Sequence, residues 1–126
     1  DREIERLAMG KVMEFEREQG FQPRDVSAEN RGYDIESRDP KTDRLRFIEV
    51  KGRVKGAPTV TVTKNEILTS LNRPDAFVLA IVFVESGVAQ TPIYLHQPFA
   101  HEPEFATASV NFKLSELLEK ANAQKS

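Results

Sequence analysis

The nine residues Ala76-Phe-Val-Leu-Ala-Ile-Val-Phe-Val84 constrain this chain more than any other stretch. The run is apolar without a break, far too short to span a membrane, and bracketed by the turn formers Pro74-Asp75 and Ser86-Gly87. A strand with no polar alternation has no face for water, so both of its faces must be covered. Phe77–Val84 therefore predicts a buried strand in a central sheet with helices packed on it.

The flanking segments supply those layers. Ile4, Leu7, Ala8, Val12 and Phe15 recur at helical spacing, predicting an amphipathic helix from about Arg2 to Gln19 that Gly20 closes. Gly10 inside it costs up to about 1 kcal/mol, which points to a close packing contact there. Phe21–Ser27, with Pro23, reads as a short edge strand, and Asn30-Arg31-Gly32 as a turn. Tyr33–Ser37 and Leu45–Val50 read as an antiparallel hairpin across the Asp39-Pro40 turn. Gly52–Pro58 is a basic, glycine-containing loop expected to end the second strand abruptly. Thr59–Thr63 is β-branched throughout and predicts the next strand. Thr63 and Glu66 match a capping box, placing a helix over Lys64–Asn72. That helical connection allows the 77–84 strand to run parallel to an earlier one. Thr91–His96 predicts a last strand, at an edge because of Pro92. Gln97–Ser109 reads as loop, Ser115 as the cap of a helix over Glu116–Ala123, and Gln124–Ser126 as a fraying end.

The fold class expected is thus α/β, a central mixed β-sheet flanked by helices. At 126 residues the chain predicts one domain, with a core over about 4–96 and a C-terminal loop and helix over 97–123. It opens Asp-Arg-Glu-Ile-Glu, with no initiator Met and no signal-peptide pattern, so it reads as a piece excised from a longer intracellular protein, cytoplasmic if the source is prokaryotic. No membrane partner is expected.

Net charge is -2, but the charge is unevenly placed. Residues 1–37 hold 6 basic and 10 acidic side chains and residues 65–126 hold 4 and 7, whereas residues 38–64 hold 8 basic and 3 acidic. A local excess of this kind suits an anionic polymer, or simply a solvated strand-and-loop surface.

Within that basic zone lies the chemistry-bearing constellation. Alternation along Leu45–Val50 and beyond makes Glu49 and Lys51 neighbours on one face, while Ile48 and Val50 face the other way. Asp34, on the adjacent strand, can bring a second carboxylate to Glu49. Two like charges this close disfavour each other's ionisation unless a cation intervenes. With no cysteine and only His96 and His101, such a cation would be held by oxygen, which points to Mg2+ or Mn2+. The Val50 backbone carbonyl can add a ligand. Lys51 can hold a water or stabilise charge on a phosphate. The competing reading is a surface ion pair worth under about 1 kcal/mol. Neither histidine has an acidic partner by spacing, and the chain has no dinucleotide or Walker fingerprint.

These residues, in this order, resemble the PD-(D/E)xK nuclease superfamily. Within it the chain is most similar to the nuclease-like domain at the C-terminus of NO VEIN-type plant proteins and of some helicase-associated proteins. The likeness rests on Asp34 in Arg31-Gly-Tyr-Asp-Ile35, on Glu49 and Lys51 in Phe47-Ile-Glu-Val-Lys-Gly-Arg53, and on Glu14 near the end of the first helix. Thr63-Lys-Asn-Glu66 resembles the start of the family's second core helix. Tyr33 stands where the superfamily's proline would be. The resemblance implies a restriction-endonuclease-like core in which Asp34, Glu49, Glu14 and Val50 hold a divalent cation, with Lys51 beside the attacking water. Arg53, Lys55 and Lys64 are the expected nucleic-acid backbone contacts. DNA is the implied partner, with a helicase or ATPase domain in the parent chain and a homodimer as further implied assemblies. The function expected is metal-dependent hydrolysis of DNA in restriction, defence or repair. The alternative is a noncatalytic nucleic-acid-binding or protein-interaction module on the same fold.

Overall fold

A computed structural model describes residues 1–125 of the chain. Helix α1 spans Arg2–Glu18, with the Asp1 side chain accepting from the Glu3 and Ile4 N–H groups at its start. At its end Gly20 takes φ +90, Gly20 N–H donates to Arg17 O and Phe21 N–H donates to Glu16 O. That pair of bonds is the Schellman closure that a glycine in the left-handed region makes possible. Strands β1 (Gln22–Asp25), β2 (Ile35–Arg38) and β3 (Leu45–Val54) follow as an antiparallel meander. Strand β4 (Thr59–Thr63) leads into helix α2 (Lys64–Asn72), and β5 (Phe77–Glu85) returns parallel to β3. Strands β6 (Val88–Ala89) and β7 (Ile93–His96) each pair antiparallel with β5. Strand β8 (Ser109–Lys113) and helix α3 (Leu114–Gln124) complete the described chain.

The architecture is α/β: a central mixed sheet in the order β1-β2-β3-β5-β6, with β7 also on β5, flanked by helices in a restriction-endonuclease-like arrangement. The uninterrupted apolar run explains it. On one face Val78, Ala80 and Val82 join Ile35, Ile48, Ala8 and Val12 of α1. On the other, Phe77, Leu79 and Ile81 join Val60, Val62, Ile67, Leu95, Leu114, Leu117 and Ala121. Strand β5 is thus covered twice, as its composition demands.

Several local expectations are corrected. Strand β3 does not stop at Val50 but continues through Gly52 to Val54, paired with Val82–Val84 of β5. Gly52 is a close-approach residue rather than a turn, since a Cβ there would overlap Ala8 Cβ and crowd the Ile4 carbonyl of α1. Gly10, where tight packing was expected, has open space around it. Ser115 lies inside α3 and the helix begins at Leu114 without a side-chain cap, because the chain enters directly from β8. That strand was unreadable as sequence: among the described residues Ser109–Lys113 pairs only with β4, forming a two-stranded ribbon apart from the main sheet. Gln124 does not fray, because its side-chain amide bonds both the N–H and the C=O of His96 at 2.9 and 2.7 Å. Ser126 lies outside the described residues.

Candidate functional site

Antiparallel pairing of β2 with β3 sets Ile35 opposite Ile48, so one further step of the register sets Asp34 opposite Glu49. Glu49 and Lys51 share the face of β3 that carries Phe47, turned toward α2, while Ile48 and Val50 turn toward α1. Asp34 is held by the backbone: Val50 N–H donates to its Oδ2 at 2.8 Å, and its own N–H donates to Ile48 O at 2.9 Å. Because N–H and C=O of one strand residue point to the same side, the Val50 carbonyl also faces the Asp34 edge.

The sequence reading did not assign Glu66 to this site. It is the third residue of α2, and the capping box that starts the helix is complete. The Thr63 N–H donates to Glu66 Oε1 at 2.9 Å and the Glu66 N–H donates to Thr63 Oγ1 at 3.2 Å. From there Glu66 Oε1 reaches Lys51 Nζ at 3.0 Å, and Lys51 Nζ also lies 3.3 Å from Glu49 Oε2. Thr63-Lys-Asn-Glu66 was legible as a cap; that β4 would carry the cap back over Glu49 and Lys51 was not. Behind α2, Gly32 (φ +87) sits so close to Thr69 that a Cβ would overlap its hydroxyl, tying the segment before Asp34 to the helix that carries Glu66.

Two carboxyls, Glu49 and Glu66, therefore hold one ammonium, with Asp34 opposite Glu49 on the next strand, and Glu49 is only 3% exposed. Burial, reinforced by the charges of Asp34 and Glu66, pushes the Glu49 carboxyl up to about 10. Burial also raises Asp34, against the opposing Val50 N–H, a hydrogen bond from Glu49 and the Lys51 charge. For Glu66 burial is outweighed by the Glu49 hydrogen bond and Lys51, and its carboxyl is lowered. For Lys51 burial works against the charged form, but Glu49 and Glu66 prevail and its ammonium is favoured. At neutral pH the cluster holds a protonated Glu49 beside the Lys51 ammonium.

These groups line a cleft of about 760 Å³ between the N-terminal end of α1, the end of β3 and the start of α2. Its other walls include Arg2, Glu5, Arg6, Met9, Arg53 and Thr61. Of the residues singled out from sequence, Asp34, Glu49, Val50, Lys51 and Arg53 come together here. Glu14 does not. It lies nine residues beyond Glu5 on α1, about 13 Å along the axis at the usual helical rise. Its side chain is 59% exposed and 3.5 Å from Lys11 Nζ. The α1 acid that lines the cleft is Glu5, at the opposite end of the helix, because Gly52 packs β3 against the first turns of α1. Lys55 and Lys64 are likewise engaged elsewhere. Lys55 pairs with Glu85 at 2.9 Å, and Lys64 donates to the Phe105 carbonyl at 2.8 Å with its ammonium over the Phe105 ring. The cations that join Arg53 at the cleft are Arg2 and Arg6, the latter paired with Glu3.

Among the described residues no group of three or more His, Cys, Asp or Glu side chains is arranged to hold a metal ion, and no helix is long and apolar enough to cross a membrane. No curated protein matches the chain. The family model described as Protein NO VEIN, C-terminal, matches residues 4–95, a span that runs from the first turn of α1 to β7 and contains Asp34, Glu49, Lys51 and Glu66. The chain belongs to the NO VEIN C-terminal family.

Proposed function

We propose that this domain is a PD-(D/E)xK-type nuclease that hydrolyses phosphodiester bonds of DNA with Mg2+ or Mn2+. The observation that carries the reading is the meeting of Asp34, Glu49 and Lys51 on the floor of one cleft, with the Glu49 carboxyl held neutral there by burial and by the charges of Asp34 and Glu66. A donor set of two carboxyls and a strand carbonyl, all oxygen, fits a hard divalent cation. Asp34, Glu49 and the Val50 carbonyl would hold it. When bound, such a cation polarises the phosphate and lowers the pKa of a coordinated water.

The remaining chemistry belongs to the chain. The Val50 N–H keeps Asp34 in one orientation, so the carboxylate needs no reorganisation to bind. Lys51 stays an ammonium at neutral pH, which suits it to donate a hydrogen bond to the attacking water or to a phosphate oxygen where charge develops, and not to act as a base. Arg2, Arg6 and Arg53 along the cleft wall suit the sequence-independent contacts that position a phosphate backbone. Cleavage of duplex and single-stranded DNA with added Mg2+ or Mn2+ tests the reading. Wild type is expected to cut, and Asp34→Asn and Lys51→Ala to lose about 10²–10³ in rate. Wild type that stays inert with either metal sinks it.

One observation favours a noncatalytic binding module instead: Lys51 is already held by two carboxyls. Salt-dependent DNA binding without strand cleavage is the outcome that would select that reading.

A further inference from the structure

Glu49 and Glu66 hold Lys51 in different ways. Glu49 is on the same strand as Lys51, two residues away, and among the described residues no backbone N–H donates to its carboxyl oxygens. Glu66 comes from α2 and is itself fixed, since its Oε1 accepts the Thr63 N–H of the capping box at 2.9 Å while lying 3.0 Å from Lys51 Nζ. Both the Lys51 and the Glu66 side chains are 17% exposed, so the contact is largely shielded from water. If Glu49 turns to a cation, as the function proposed above requires, Lys51 loses that anchor, and a four-carbon side chain with one charged end is costly in entropy to hold in place.

We propose that Glu66 is a positioning residue for Lys51. It keeps the ammonium at the cleft floor when Glu49 is occupied by a cation, and it can do so because helix capping has already fixed its own carboxylate. The contact itself is independent of the proposed nuclease reading; its consequence for turnover rests on that reading.

Glu66→Gln separates the two roles, because glutamine at this helix position still accepts the Thr63 N–H but no longer carries charge. In metal-free Glu49→Gln protein, which removes the other charged anchor as a bound cation would, the rate at which acetic anhydride labels Lys51, followed by mass spectrometry, is expected to rise by about threefold or more when Glu66→Gln is added. Thr63→Ala leaves the backbone N–H that Glu66 accepts, and is expected to lower the thermal midpoint without changing the labelling of Lys51. Unchanged labelling when Glu66→Gln is added overturns the inference, whatever the protein does to DNA. In cleavage assays Glu66→Gln is expected to lose about tenfold or more in kcat, with KM for DNA and the calorimetric Mn2+ affinity within about threefold of wild type. A loss of Mn2+ affinity matching the loss of kcat also overturns it, since Glu66 would then be a ligand. Wild type that cuts nothing removes the nuclease reading, while the labelling result still decides the positioning role.

Discussion

Glu16 and Glu49 are both buried carboxyls set against β3, one on each face, and their surroundings are opposite in kind. Glu16, fully buried on α1, has one oxygen 2.8 Å from Arg46 and the other accepting from the Tyr94 hydroxyl at 2.7 Å. Arg46 is sandwiched by the Phe21 and Tyr94 rings at 5.0 and 5.5 Å. One acid meets one base, every oxygen has a donor, and the Tyr94 hydroxyl is held well above the usual phenol range by burial and by its bond to Glu16. Glu49 instead shares a single ammonium with Glu66, has Asp34 opposite it on the next strand, and lines a cleft. A balanced buried pair locks a helix to a sheet. An excess of acid beside an opening leaves a charge deficit that a ligand can fill. Burial and charge type alone do not separate the two clusters; their stoichiometry and access do.

The sharpest way to break that contrast is to disturb the balanced cluster. Arg46→Ala leaves Glu16 buried without its cation and is expected to cost about 3 kcal/mol in urea unfolding, with Arg46's partial exposure keeping it at the low end for such pairs. Any DNA cleavage by the folded fraction should be unaffected. A cost near zero would mean that the pair is solvated and the contrast is false.

The unbalanced cluster should respond in the other direction. In the metal-free protein Glu49 keeps its proton up to about pH 10 when folded and releases it near pH 4.5 when unfolded. Between those values the folded state binds the extra proton, so stability falls as pH rises. Glu49→Gln mimics the protonated form at every pH. Its thermal midpoint is expected to exceed that of wild type at pH 8 by a few degrees, with the gap closing toward pH 5. A gap independent of pH would remove the charge deficit from the site.

The smallest effect is read in calorimetry. If Asp34 and Glu49 take up a divalent ion at pH 7.5, Glu49 must give up its proton, and about one proton per ion should be released, measured from titrations in buffers of different ionisation enthalpy. Binding without proton release would leave Glu49 outside the ligand set.

Much of this was legible in the chain. The unbroken apolar run at 76–84 requires cover on both faces, and the structure supplies it from α1 and from α2 with α3. Thr63 and Glu66 announced a capping box, and the helix runs over Lys64–Asn72 as that signal predicts. Gly20 closed α1 as a left-handed glycine should. Strand alternation likewise put Glu49 and Lys51 on one face. Each of these features depends on residues within a few positions of one another, where periodicity and backbone preference act directly.

The rest was decided by contacts between segments far apart. Local pattern says nothing of which end of α1 meets the end of β3; the close approach at Gly52 selects the end that carries Glu5 and leaves Glu14 away from the cleft. Pairing of β4 with β8 across fifty residues makes a strand of Ser109–Lys113, a segment that local pattern does not mark as one. Glu66 was readable as a cap, but its second role comes only from its placement in the fold, 3.0 Å from the lysine. The sequence by itself determined the elements, the two-sided cover of the central strand and the shared face of Glu49 and Lys51. Only the tertiary structure decided which acids surround Lys51, because packing between distant elements sets those distances, and residue spacing along the chain does not.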